Sequence, residues 1–294
     1  MADRYLSRVS CIESRPATEW LGDYPLISII GTGSMGVVYR SVEPCNRRPI
    51  ALKTLRPELL NDPSASEFAA RLRLESEAAR RMSHPGIVSV RGYGEAPHTY
   101  ISMEYVDARS LKACIDVGMV FNLSRTVAIM AQVLDALQHA HERGVWHRDV
   151  KPSNLLLARE DRVKMTDFGI ARIDSPASEP LEAILGSPGY IAPEAYLGET
   201  CDQRVDVFAA GVVLYLLLAG APPFCGTPNE IMLKVCYGTV QPPSIVARSA
   251  VVQPLDGVVM RALARNSEER FASAAQFRTA LLDARELGGS GGKQ

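Results

Sequence analysis

His147-Arg148-Asp149-Val150-Lys151-Pro152-Ser153-Asn154 places a carboxylate, a cation and a carboxamide within a few residues of one another. Asp149 can accept the proton of an attacking hydroxyl, and Lys151 can neutralise a phosphoryl group in flight. Asn154 offers a carbonyl oxygen to Mg2+. Downstream stands Asp167-Phe168-Gly169, whose carboxylate can ligate Mg2+ bridging phosphates; hard oxygen ligands suit that ion. Ala192-Pro193-Glu194 follows after a further segment.

Upstream, Gly31-Thr32-Gly33-Ser34-Met35-Gly36-Val37-Val38-Tyr39 lies between two apolar strand patterns. Alone it is a weak signal. A dinucleotide fingerprint needs its glycines to open a helix, whereas Val37-Val38-Tyr39 continues as a strand, so a glycine-rich hairpin is expected. Such glycines let the backbone approach phosphates and leave its N–H groups free to bind them. Lys53, on the next strand, would by itself read as a solvated charge. The helix that follows carries Glu75 on the face of Phe68, Leu72, Ala79 and Met82, while Glu77 points elsewhere. An acid on an apolar face is costly unless paired. Glu75 is therefore the candidate partner of Lys53, and Glu77 an ordinary surface charge.

Around these motifs the chain changes character. β-rich stretches occur near Pro25–Ile30, Val37–Val42, Ile50–Leu55, Ile87–Gly92 and Thr99–Val106, with one helix near Ser64–Met82. From Leu123 helices dominate. Leu123, Val127, Met130, Leu134, Leu137 and His141 step by four and three after Asn122, a plausible cap. Later helices are expected at Asp206–Leu218, Pro228–Val235, Gln253–Leu263 and Ser273–Glu286, the last opened by the capping box Ser273-Ala-Ala-Gln276. The reading is an N-terminal extension over 1–22, a β-rich part over 23–106, an α-rich part over 107–286 and a Gly/Ser tail over 287–294, with Val106–Ser110 as the joint.

The chain has 294 residues, a formal net charge of −1 and 47% hydrophobic residues, enough for a large core. The balanced charge gives no reason to expect nucleic acid. Six scattered cysteines without a C-x-x-C pair argue against zinc and fit a reducing compartment. The N-terminus has no apolar run, and Val207–Ala219 is too short to span a bilayer. The expected location is the cytoplasm.

Taken together, these segments resemble the eukaryotic-type protein kinase family in order and spacing, over residues 24 to 286. Met35 and the stretch Asn266–Phe271 resemble its bacterial members, and Lys151 with Gly186-Ser187-Pro188-Gly189-Tyr190 resembles its serine/threonine members. The resemblance implies an α+β, two-lobed kinase fold, with a small β-rich N-lobe carrying one helix and a larger α-rich C-lobe. It implies ATP and Mg2+. Asp149 would be the base, Lys151 would stabilise the transition state, and Lys53, held by Glu75, would grip the phosphates. Ile30, Gly31, Gly33 and Gly36 would line the nucleotide. Adenine would lie between Val38, Ala51 and Leu156, with Met103 as gatekeeper and the backbones of Glu104 and Val106 at its edge. Asn154 and Asp167 would hold the metal. Glu194 would pair with Arg270, and Asp206 would brace the catalytic loop. His84 reads as a turn histidine, and His139 and His141 as helix packing or surface.

The implied partners are proteins bearing serine or threonine, including a second copy of the chain in a homodimer that phosphorylates itself. The segment from Asp167 to Glu194 contains no threonine, so the charge that answers Arg148 would come from Glu179 or Glu182, or from phosphorylated Ser175 or Ser178. Two other readings compete. One is a pseudokinase acting as an ATP-binding scaffold, against which Lys53, Asp149 and Asp167 all stand. The other is a small-molecule phosphotransferase, against which Gly186–Tyr190 and Ala192–Glu194 stand.

Overall fold

The computed structural model describes residues 19–33, 36–59, 65–95, 98–168 and 187–290. The chain divides into two units. One runs to Leu72 and takes in Arg91–Tyr105; the other takes Arg73–Val90 and everything from Val106 on.

The first unit is built from strands. β1 (Trp20–Leu21) and β2 (Tyr24–Pro25) form a small antiparallel pair. β3 (Ser28–Thr32), β4 (Gly36–Val42), β5 (Pro49–Leu55), β6 (Val90–Gly94) and β7 (Tyr100–Glu104) form one sheet in the order β3-β4-β5-β7-β6, with α1 (Ala65–Ala79) following β5 in the chain. Residues directly opposed across strands share a face. The register sets Val38 opposite Lys53 and Lys53 opposite Ile101; it also sets Arg40 opposite Ala51 and Ala51 opposite Met103. The other face carries Ile50 and Leu52, which pack with Leu21, Tyr24, Leu26, Tyr39 and Tyr100. So the β1–β2 pair covers one face of the sheet.

Two expectations change here. Residues up to 22 hold a strand, because Trp20 and Leu21 pair with Pro25 and Tyr24. The strand expected at Ile87–Gly92 is β6, at Val90–Gly94. Ile87 instead makes a parallel bridge to Met165 in the second unit.

The second unit is mainly helical. β8 (Arg109–Ser110) leads into α2 (Leu111–Asp116), and α3 (Leu123–His141) follows. β9 (Leu155–Leu157) and β10 (Val163–Met165) join β8 in a three-stranded sheet ordered β10-β9-β8. Then come α4 (Pro193–Tyr196), α5 (Arg204–Ala219), α6 (Pro228–Tyr237), α7 (Pro243–Ala247), α8 (Asp256–Ala262) and α9 (Ala274–Ser290). The Asn122 side chain accepts the Arg125 N–H at 2.9 Å and starts α3, whose stepping residues Val127, Met130, Leu134 and Leu137 are fully buried. α5 is apolar on all sides and forms the centre of the core. Its Gly211 admits α8 closely: a Cβ there would meet that of Ala262 at 2.8 Å. The expected Gln253–Leu263 helix opens as a 3-10 turn over Gln253–Leu255. At α9, Ser273 Oγ accepts the Gln276 N–H at 3.2 Å, but Gln276 Oε1 takes the N–H of Ala272, one residue before the expected cap. Among the described residues, no helix is long and apolar enough to cross a membrane.

Candidate active site

The loop between α3 and β9 carries a dense polar network. Asp206, in the first turn of α5, is fully buried. Its Oδ2 accepts the backbone N–H of His147 at 2.8 Å and Oδ1 accepts that of Arg148 at 2.7 Å. His141 Nε2 lies 2.8 Å from Oδ2. A carboxylate only accepts, so that ring nitrogen carries the proton. Burial alone would raise the Asp206 carboxyl; the hydrogen bonds from His141 and the loop amide hold it below its ordinary range. One buried anion thus clamps two consecutive amides. The clamp holds a strained turn, since Arg148 has φ of 60°.

His147 is itself fixed. The Asp149 N–H donates to its Nδ1 at 3.3 Å, so Nε2 carries the proton and donates to the Thr166 carbonyl at 3.1 Å. Burial pushes its pKa down, which keeps the ring neutral. Phe168 packs against it, ring centroids 4.5 Å apart.

Just beyond, the loop gathers three of the expected residues. Lys151 Nζ is 2.7 Å from Asp149 Oδ2. Asn154 Nδ2 donates to the same oxygen and to the Asp149 carbonyl, both at 2.9 Å. That fixes which way the carboxamide points and leaves Oδ1 as its acceptor, with Ser153 Oγ 3.3 Å away. The Thr166 N–H donates to the Asn154 carbonyl at 3.0 Å, so β9 and β10 start and end beside one another, and Asp167 follows with φ of 58°. Asn154 and Asp167 supply only oxygen donors, which fits a hard cation. Leu156 lies in β9, half-buried, opposite Lys164.

Glu194 and Arg270 form the expected pair. Arg270 Nη1 and Nη2 donate to the two carboxylate oxygens at 2.6 and 2.7 Å. The remaining donors reach the carbonyls of Ala264, Arg204 and Arg265 at 2.7, 3.2 and 3.0 Å, and the guanidinium lies 5.0 Å from the Phe208 ring. All five N–H groups of a 2% exposed arginine are therefore used.

In the first unit, Val38, Ala51, Lys53 and Met103 share the sheet face opposite the one that β1 and β2 cover. Ile30 is 46% exposed at the bulge between Ile29 and Gly31. A Cβ at Gly36 would meet the Thr54 carbonyl oxygen at 2.8 Å, so the fold itself demands glycine there. At Gly31 and Gly33 the nearest described atoms would be 3.7 and 3.8 Å away, ordinary contacts. Glu104 stands opposite Ile50 at the end of β7, two residues before Val106. Glu77 is exposed and pairs with Arg73 at 3.1 Å, a surface charge as expected. The side chain of Glu75 lies outside the described residues, as do Met35, Gly169, Ser175, Ser178, Glu179 and Glu182.

His141 is the residue whose role was missed. From the sequence it reads as helix packing or surface, yet it belongs to the Asp206 clamp. Its place in step with Leu134 and Leu137 was the available signal, because a histidine on a buried face needs a polar partner.

Comparison with known proteins agrees with this geometry. The family described as protein kinase domain matches residues 24–279. The chain is 38% identical over 273 residues to serine/threonine-protein kinase PknB of Mycolicibacterium smegmatis, covering 90% of this chain and 43% of that protein. It is 35% identical over 279 residues to probable serine/threonine-protein kinase SCO3848 of Streptomyces coelicolor, covering 91% and 41%. The chain thus spans less than half the length of these curated relatives. Among solved structures, the PknI kinase domain of Mycobacterium tuberculosis superposes with a TM-score of 0.71 at 32% identity, covering 93% of this chain and all of that one.

Proposed function

The chain belongs to the protein kinase family, among its bacterial serine/threonine-type members, and on that footing we propose that it transfers the γ-phosphoryl group of ATP to serine or threonine hydroxyls of proteins. The observation that carries this reading is the Asp149–Lys151–Asn154 cluster, on a loop whose amides the buried Asp206 holds.

Asp149 orients the acceptor hydroxyl and takes its proton. Lys151, 2.7 Å from that carboxylate, neutralises charge that builds on the moving group. Lys53 binds the phosphates with Glu75 as its partner. Gly31 and Gly33 leave backbone open to the nucleotide; among the described residues a Cβ at either would meet only ordinary contacts, which supports a close-lying ligand as the reason for glycine there. Ile30, Val38, Ala51, Met103 and Leu156 line the base, and the backbones of Glu104 and Val106 meet its edge. Asn154 Oδ1 and the Asp167 carboxylate would hold Mg2+, which would supply neutralisation of the phosphate charge. Autophosphorylation in a homodimer and a reducing, cytoplasmic setting belong to the same reading. The cysteines, free among the described residues, support the reducing setting.

The test is transfer from labelled ATP to a protein substrate, with and without Mg2+, followed by phosphoamino-acid analysis. Label on serine or threonine that needs Mg2+ is expected. ATP binding without transfer would favour the scaffold, and label on a small molecule alone would overturn the protein-substrate reading.

A further inference from the structure

The turn Ser83-His84-Pro85-Gly86 lies away from the cluster just described, yet it is tied to the strand that delivers Asp167. The Met165 N–H donates to the Gly86 carbonyl at 2.8 Å, and the Val88 N–H donates to the Met165 carbonyl at 2.9 Å. Lys164 Nζ reaches the Ile87 carbonyl at 3.4 Å. β10 is therefore gripped on both edges, by β9 and by residues 86–88. Ile87 and Met165 are buried, and Asp167 follows Met165 by two residues.

His84 sets the shape of this turn. Its Nδ1 accepts the Gly86 N–H at 3.0 Å, which places the proton on Nε2, 3.3 Å from Asp135 Oδ2 on α3. Its ring packs on that of His139, centroids 4.8 Å apart. A Cβ on Gly86 would come within 3.1 Å of the His84 ring and 3.2 Å of Ala136, so the turn fits against α3 without slack.

We infer that His84 is a positioning residue for Asp167, acting through the Gly86–Val88 pairing with Met165, and that its stack on His139 makes this hold sensitive to acid. His139 Nε2 is buried and has no hydrogen-bond partner among the described residues. A proton there would be a buried, unpaired donor beside a second imidazole. The charged groups around the stack are Asp135 and Glu142, which favour protonation, and Arg143, which opposes it; Arg278 on α9 lies 4.0 Å from Asp135. Burial, then Arg143 and His84, lower the His139 pKa from the ordinary histidine value. The sign follows: an opened turn binds the proton more readily than the closed one, so the stack is intact above the usual histidine range and weakens as pH falls below it.

The inference rests on the phosphotransfer reading for its kinetic readout, so the test adds one that does not. Hydrogen–deuterium exchange at the Met165 and Val88 amides is followed in the whole chain for His84→Ala, His84→Asn and His139→Phe. His84→Ala should speed exchange at those two amides selectively. It should also lower kcat by about tenfold and raise the Mg2+ requirement, the scale typical of groups that orient metal ligands, while affinity for an ATP analogue without Mg2+ stays unchanged. His84→Asn should restore most of the loss, because a carboxamide can accept the N–H two residues on. His139→Phe should keep activity at pH 7.5 and remove the rise in exchange, corrected for the intrinsic rate, that is expected in the parent below about pH 6.5. The inference is overturned if His84→Ala leaves both amides as protected as in the parent, or loosens the whole core equally. An acid limb unchanged in His139→Phe removes the pH sensitivity. If the chain transfers no phosphoryl group at all, the exchange data still decide the positioning.

Discussion

The loop around Asp149 and the glycine-rich hairpin are held in opposite ways. Around Asp149 the backbone is fixed by side chains, one from far along the sequence and two from the loop itself: Asp206 on two amides, His147 on Thr166, Asn154 on Asp149. Around Gly36 the backbone is fixed by its own ladder to β5, and what matters is the side chain that is missing. The first region uses buried charge to impose a strained turn. The second uses vacancy to keep backbone available. A substitution in the first should remove a partner and strand another group; one in the second should fill space.

The largest expected effect tests the charged bracing farther out. Arg270→Ala strands the buried Glu194 and should lower stability by about 3–5 kcal/mol, read by denaturant unfolding. A cost under about 1 kcal/mol, the value of a surface pair, would break the comparison. Next is Asp149→Asn, which keeps the shape and removes the carboxylate. Turnover should fall by about a hundredfold or more while nucleotide affinity survives in a binding assay. Turnover at the parent rate would show that the cluster is not the reacting site.

The hairpin gives a finer contrast between two neighbouring glycines. Gly36→Ala should cost about 1–3 kcal/mol of stability, because its Cβ has no room against the Thr54 carbonyl. Gly33→Ala should leave the melting temperature nearly unchanged and weaken ATP binding. Equal losses of stability in both would mean that the hairpin is braced like the loop around Asp149. The smallest expected effect is in pH. Burial lowers the His147 pKa, so the unfolded chain takes up the proton first. That contribution to stability is complete above about pH 6.5 and declines as pH falls below it. A melting temperature that rises between pH 7 and pH 5.5 would contradict the neutral ring.

What the sequence made legible follows the same division. α3 was readable end to end, because its apolar stepping is strong and Asn122 caps it. The cluster around Asp149 was readable because Asp149, Lys151 and Asn154 stand within six residues of chain, and the structure sets both partners on the one carboxylate. β8, β9 and β10, two or three residues each, carry too few positions to show a period. Ile87 and Val88 have the composition of a strand in the first sheet, but Met165 engages them, and that pairing is a tertiary fact. His141 read as packing because a sequence does not show that Asp206 lies opposite it.

The Glu194–Arg270 pair has a consequence for how the protein is made. Its partners are 76 residues apart. A ribosome adding about 5–20 residues per second needs roughly 4–15 s to supply the second after the first. Until then Glu194 has no guanidinium to face, and α4 has little reason to settle against the core. The C-terminal third of the chain thus acts as a release signal for the middle third. We expect stalled nascent chains ending before Arg270 to be cut readily by protease near Glu194, and chains with Arg270 clear of the exit tunnel to resist.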